Sequence, residues 1–154
     1  MKKLVLGSLS AVLLASSMTA TAMDAEDAIQ FRQAGYKFMA WNMAKIKAMA
    51  IDGSAEWNPA QVQAAANSIA ATANSGMGAL FIPGTEADVG DTKTRVKPEM
   101  FSDIEGVTEV GMAFHKAANE LAAAAETGDK AAVAKAFGAT GQSCKGCHDK
   151  FRKD

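Results

Sequence analysis

The segment Cys144-Lys145-Gly146-Cys147-His148 constrains this chain more than any other feature, because it brings both cysteines together beside one of the two histidines. Cys-x-x-Cys-His is the attachment pattern of c-type haem. On a helix advancing about 100° per residue, Cys147 falls about 60° behind Cys144 and His148 about 40° ahead. All three side chains then project from one face, where two thiols can bond the haem vinyl groups while the imidazole reaches the iron. Phe151 and Arg152 continue that stripe one turn further, offering a ring to the porphyrin and a cation on the His148 side. Only Asp149 to Asp154 follow His148, so any second axial ligand is expected from upstream residues.

Other uses of the motif fit less well. A disulfide across two intervening residues would close a tiny loop, and chain-entropy stabilisation grows with loop length. A thioredoxin-like redox pair belongs beside a strand in a βαβ unit, for which the sequence has no pattern. Structural zinc needs four ligands, and beyond these three only distant His115 is a common soft donor. His115, beside Lys116, reads instead as a solvated helix position.

Residues 1–22 read as a cleaved secretory signal peptide: Lys2 and Lys3, an apolar run from Leu4 to Ala15, then Ala20-Thr21-Ala22. That run is too short and too interrupted by Gly7, Ser8 and Ser10 for a membrane span, which needs about 20 apolar residues. We expect a periplasmic protein without membrane insertion, its remaining residues 23–154 forming one domain. Those residues carry 14 basic against 17 acidic side chains, a formal charge of −3 that gives nucleic-acid binding no support.

The expected fold class is all-α, an antiparallel four-helix bundle with covalent haem c in its interior. Ala, Met, Lys, Glu and Gln dominate, and β-branched alternation is scarce. Helix one is predicted from about Asp24 to Met49 and helix two from Asn58-Pro59 to about Asn74, with Asn58 placed to cap and Pro59 suited to the first turn. A polar connection from Ser75 to Lys97 follows, long enough to serve or wrap a site. Helix three is predicted from Pro98 to Glu126, Thr127-Gly128-Asp129 forms a turn, and helix four carries the cysteines, with Gly138 and Gly141 placed to disturb it.

Helix one carries two faces. Arg32, Tyr36, Met39, Met43 and Ile46 fall within about 40° of one line and suit the side of the haem opposite His148. Phe31, Phe38 and Trp41 lie on another side, and a monomeric bundle needs only one apolar stripe per helix. The second face is expected to meet an identical subunit, giving a homodimer through helices one and two. Met39, Met43, Trp41 and Trp57 read first as packing residues.

Glu26 through Gln33, the loop Pro83-Gly84-Thr85-Glu86, the helix start Lys97-Pro98-Glu99 and the segment from Cys144 to Arg152 resemble cytochrome c′, the high-spin branch of class II c-type cytochromes. The resemblance covers the whole chain after residue 22. It implies that His148 is the only protein axial ligand, that Arg32 and Gln33 approach a haem propionate, that Asp91 makes a further propionate contact, and that Arg152 is the proximal arginine. It matches Tyr36 to the residue over the vacant iron position, where low-spin relatives carry a methionine. The implied function is non-enzymatic: five-coordinate iron that binds nitric oxide or carbon monoxide and undergoes one-electron redox. The alternative is a six-coordinate electron carrier with Met39 or Met43 as sixth ligand. The sequence shows no distal His/Arg pair of the kind a dedicated peroxidase uses.

Overall fold

The computed structural model describes residues 23–154, and the expected signal peptide lies outside the described residues. Four long helices form the domain: α1 (Ala25–Ile46), α2 (Pro59–Ala73), α3 (Ile104–Glu126) and α4 (Lys130–Phe151). Each begins at a side-chain oxygen that accepts an otherwise free backbone N–H. Asp24 accepts from Glu26, Asn58 from Gln61, Asp103 from Gly106, and Asp129 from both Ala131 and Ala132.

Two boundaries differ from expectation. α1 runs past Met49 as a π-helical turn, Lys47–Ile51, closed by a bond from the Asp52 N–H to the Lys47 carbonyl. Pro98 opens a 3-10 turn, Pro98–Phe101, rather than α3 itself. Asp103 then leaves the helical region and caps a fresh start at Ile104. Gly106 belongs to that cap, because a β-carbon there would lie 2.2 Å from the Asp103 Oδ2. Gly138 and Gly141 do not interrupt α4. Glycine costs a helix about 1 kcal/mol each, and tertiary contact offsets it here. Val133 and Thr140 are buried, and the Thr140 hydroxyl donates to Ala117 of α3 at 3.2 Å.

α1 packs on α2, α2 on α3 and α3 on α4, but α1 and α4 hardly touch except where α4 meets the π-helical turn. The antiparallel order sets the start of α4 against the end of α1. The two helices therefore converge there and stand apart at the level of Tyr36 and the cysteines. The apolar core gathers Met39, Ile46, Val62, Ile69, Leu121 and Val133, with alanines 65, 66, 118 and 125 allowing close approach.

The connection from 75 to 97 is shaped rather than structureless. It contains a 3-10 turn, Met77–Leu80, packed on α1. Gly35 admits that packing, since a β-carbon there would meet the Met77 methyl at 2.8 Å. Isolated bridges join Val89 to Thr92 and Val96 to Arg152.

Replacing Asp129 by Ala removes the cap of the helix that carries the cysteines. The expected cost is about 1 kcal/mol, read as a lower urea midpoint with an unchanged slope.

Candidate functional site

The site is built from the two helices that stand apart. On α4, one face carries Cys144 and Cys147, both free and half-buried, with His148 exposed beside them. The half-buried thiols are held above their usual pKa chiefly by burial, so they stay protonated at neutral pH. Such thiols are available for covalent attachment and not committed to each other.

Across from them on α1 stands Tyr36. The residue is 42% exposed, because its ring borders the open side between the helices. Its hydroxyl nevertheless lies among enough protein to be pushed up to about 12, by burial first and then by Cys147 and Cys144, with Arg32 acting in the opposite sense. The phenol on α1 and the thiols on α4 are thus near enough for charge on one to be felt by the other. Thioether formation would remove the thiols as ionisable groups and leave burial as the main cause.

Arg32, one turn before Tyr36, is not solvated: it is 2% exposed. Its guanidinium donates to the Thr85 hydroxyl at 2.5 Å, the Thr85 carbonyl at 2.6 Å and the Thr94 hydroxyl at 2.7 Å, and its Cζ lies 5.1 Å from the centre of the Phe81 ring. A buried charge requires such partners. Burial lowers its proton affinity while Tyr36 and Glu86 raise it. Gln33 extends the seam by donating to the Lys93 carbonyl at 2.6 Å. Arg32 and Gln33 thus lie beside Tyr36 and hold the 80–94 segment against α1.

Asp91 is not gathered with them. It sits exposed in the Val89–Thr92 turn, whose Thr92 hydroxyl donates to Glu26 at 2.7 Å, nearly two helical turns before Arg32. Phe151 is 2% exposed, beneath the His148 face, and its carbonyl accepts from the Lys97 N–H at 2.9 Å. Arg152 caps α4 and turns back, bringing Nη1 to 3.3 Å from the His148 Nδ1. Met39 is buried in the apolar core and Met43 packs against it. His115 is exposed, as expected.

Thr85 and Thr94 were not among the expected site residues. Both are buried polar side chains; Thr85 lies in the Pro83–Glu86 loop that carries the resemblance, and the only signal for Thr94 is its position inside an unusually long connection.

The arrangement fits a covalently bound haem. Two free thiols and an imidazole share one helix face, and a phenol and a buried cation line the facing helix. The open side between α1 and α4 separates the two groups. Haem propionates are anionic in either oxidation state of the iron, and Arg32 is a buried cation to which no carboxylate among the described residues is bonded.

Comparison with known proteins agrees with this reading. The sequence profile of the family described as Cytochrome C′ matches residues 27–152. The chain is 56% identical to a cytochrome c′ of Allochromatium vinosum, over 94% of this chain and 92% of that one. Its fold superposes with a TM-score of 0.82 on a cytochrome c′ described as undergoing ligand-controlled dimer dissociation, at 55% identity over 86% of this chain and 99% of that one. Variants of the Alcaligenes xylosoxidans cytochrome c′ superpose at 0.74 in a nitric oxide complex, at 32% identity over 86% of this chain and 99% of that one. The carbon monoxide-bound form gives 0.73, at 33% identity over 85% and 98%.

The tyrosine offers a direct check, since the chain has only one. A folded pKa above the ordinary tyrosine value of 10.0 means that the folded state keeps a proton the unfolded chain releases. Stability is then full below pH 10 and falls as pH rises from there towards 12. Tyrosinate absorbance is expected to appear with a midpoint well above 10 in the folded protein and near 10 in urea.

Proposed function

The chain belongs to the cytochrome c′ family, and we propose that it is an exported, periplasmic gas-binding haem protein rather than an enzyme. In this reading Cys144 and Cys147 hold haem c through two thioethers, and His148 is the single protein ligand of a five-coordinate iron. Iron with a free axial position supplies binding of nitric oxide or carbon monoxide and one-electron redox.

The observation that carries the reading is Tyr36 facing the two cysteines from α1. A phenol held neutral by burial can crowd and polarise the distal side without binding as a strong ligand. Its ring narrows access from the open side between α1 and α4, which favours small uncharged molecules. Arg32 keeps the neighbouring segment closed over the N-terminal part of α1. On the other face, Arg152 Nη1 lies 3.3 Å from the His148 Nδ1 and sets a cation against the imidazole.

A methionine-ligated electron carrier is disfavoured by where the two candidates lie. Met39 and Met43 stand about 4.5 and 10 Å along α1 from Tyr36, inside or against the apolar core. Reaching the level of Cys147 would withdraw apolar side chains from that core. Oxidised holoprotein is expected to show a high-spin spectrum, and a sulfur-to-iron charge-transfer band would overturn the five-coordinate reading. Replacing Tyr36 by Ala is expected to raise the carbon monoxide association rate on the order of tenfold, about 1.4 kcal/mol of barrier. An unchanged rate would remove Tyr36 from the distal side.

The outer face of α1 supports a homodimer. Phe31 is 57% and Trp41 56% exposed, and Phe38 stacks on Trp41 at 5.9 Å between ring centres. These residues lie on the side of α1 turned away from Tyr36. Strain on Tyr36 from a bound gas would therefore be felt by the same helix that holds the partner. Changing Phe31 and Phe38 to Ser is expected to give a monomer by sedimentation. Carbon monoxide is expected to loosen the unaltered dimer.

A further inference from the structure

The surface around His148 carries a second feature, electrostatic in kind. A depression of about 450 Å³ beside the imidazole is lined by Arg95, Lys97, Arg152 and Lys153, together with Asp149 and Asp154. Local backbone geometry assembles the cations. From Lys93 to Val96 the side chains alternate, Thr94 buried and Val96 half-buried, so Lys93 and Arg95 are exposed, and Lys97 follows half-buried. The segment is fastened to the end of α4 by the Lys97 N–H on the Phe151 carbonyl and the Lys153 N–H on the Arg95 carbonyl, at 2.9 and 2.7 Å.

Main-chain carbonyls satisfy two of these cations and leave their charge standing. Lys97 Nζ donates to the Asp149 carbonyl at 3.2 Å and Lys153 Nζ to the Glu86 carbonyl at 3.0 Å, while Arg152 meets His148. Ion pairs among the described residues involve Lys47, Lys93, Lys116, Lys145 and Lys150, and none of the four cations lining the depression. Of the two lining carboxylates, Asp149 is engaged by Lys145, which leaves Asp154 facing the four cations. Residues 23–154 as a whole have a formal charge of −3, from 14 basic and 17 acidic side chains. Four cations around the depression thus outnumber its two carboxylate side chains, an excess opposite in sign to the formal charge of residues 23–154.

We propose that the His148 face is the docking surface for an acidic, carboxylate-rich one-electron redox protein. The proposal rests on haem attachment at Cys144 and Cys147, which makes the exposed imidazole the point where the surface comes nearest the iron. Complementary charge would steer such a partner to this face, while the remaining negative surface repels it, fixing orientation as well as rate. Arg95, Arg152 and Lys153 are exposed and Lys97 half-buried, and their long side chains are spread around an open depression. That geometry suits a broad protein surface better than a single small anion, which calls for converging buried donors.

The test uses holoprotein titrated calorimetrically with a plant-type ferredoxin, both oxidised so that no electron moves. Unaltered protein is expected to bind at low ionic strength, and raising salt from about 0.01 to 0.2 M to weaken binding at least about tenfold, as the Debye length shortens. The variant Arg95→Glu/Lys97→Glu/Lys153→Glu, which leaves His148 and Arg152 in place, is expected to lose at least as much and to become insensitive to salt. The Gln versions of the same three substitutions should fall between. Equal ferredoxin affinity in all three proteins would overturn the proposal. Saturable binding of inorganic phosphate that disappears in the Glu variant, with ferredoxin affinity unchanged, would overturn it in favour of a small-anion site. Haem absorbance of each preparation reports attachment separately, so weakened binding by a haem-replete variant speaks for the surface alone.

Discussion

Three of the four neighbouring helix pairs in this bundle pack along their length, while α1 and α4 meet only near the π-helical turn that ends α1. Every functional element follows from that divergence. A fully closed bundle would set Tyr36 directly against the thiols and leave no room for a cofactor. A fully open one would leave an apolar interior in water. The core gathers instead around Ile46, Ile69, Leu121 and Val133, and keeps the four helices together independently of the other end. The cofactor end is consequently free to be lined by a phenol, two thiols and a guanidinium.

Arg32 shows how such an end can be held without aliphatic packing. A buried cation is costly unless its donors are bonded, and here threonine hydroxyls and a main-chain carbonyl supply the acceptors. These come from a connection far away in sequence, so one side chain determines the path of some fifteen residues of loop. No buried side-chain nitrogen or oxygen among the described residues is left without a partner. A fully bonded network of this kind specifies one arrangement, which a site open on one side requires.

α1 thereby serves three environments at once. Tyr36 faces the thiols, Met39 and Ile46 enter the core, and Phe38 and Trp41 remain outside. Helical periodicity makes that possible, since residues three or four apart share a face and those between them do not. Any shift of the helix is felt on all three sides together, a physical basis for coupling the gas site to the subunit contact.

The local content of the protein was legible in its sequence. Side chains spaced three and four apart on a helix share a face whatever the tertiary fold, so the Cys144, Cys147 and His148 grouping, the stripe containing Arg32 and Tyr36, and the outward aromatics of α1 could be read from periodicity. The cap at Asn58 depends on the same short-range geometry. What the sequence left undetermined was everything that required two distant segments to meet. Arg32 is held by Thr85 and Thr94, and Asp91 lies away from that seam, because the 75–97 connection folds by contacts with α1 and α4 that no local pattern encodes. α3 starts at Ile104 because Asp103 could claim the Gly106 N–H, a competition with Pro98 that propensity alone does not resolve. Sequence by itself determined which side chains share a helix face, since covalent spacing and helical pitch suffice for that. Only the tertiary structure decided which faces confront one another and where α1 and α4 part, because those outcomes depend on packing and charge burial summed over the whole chain.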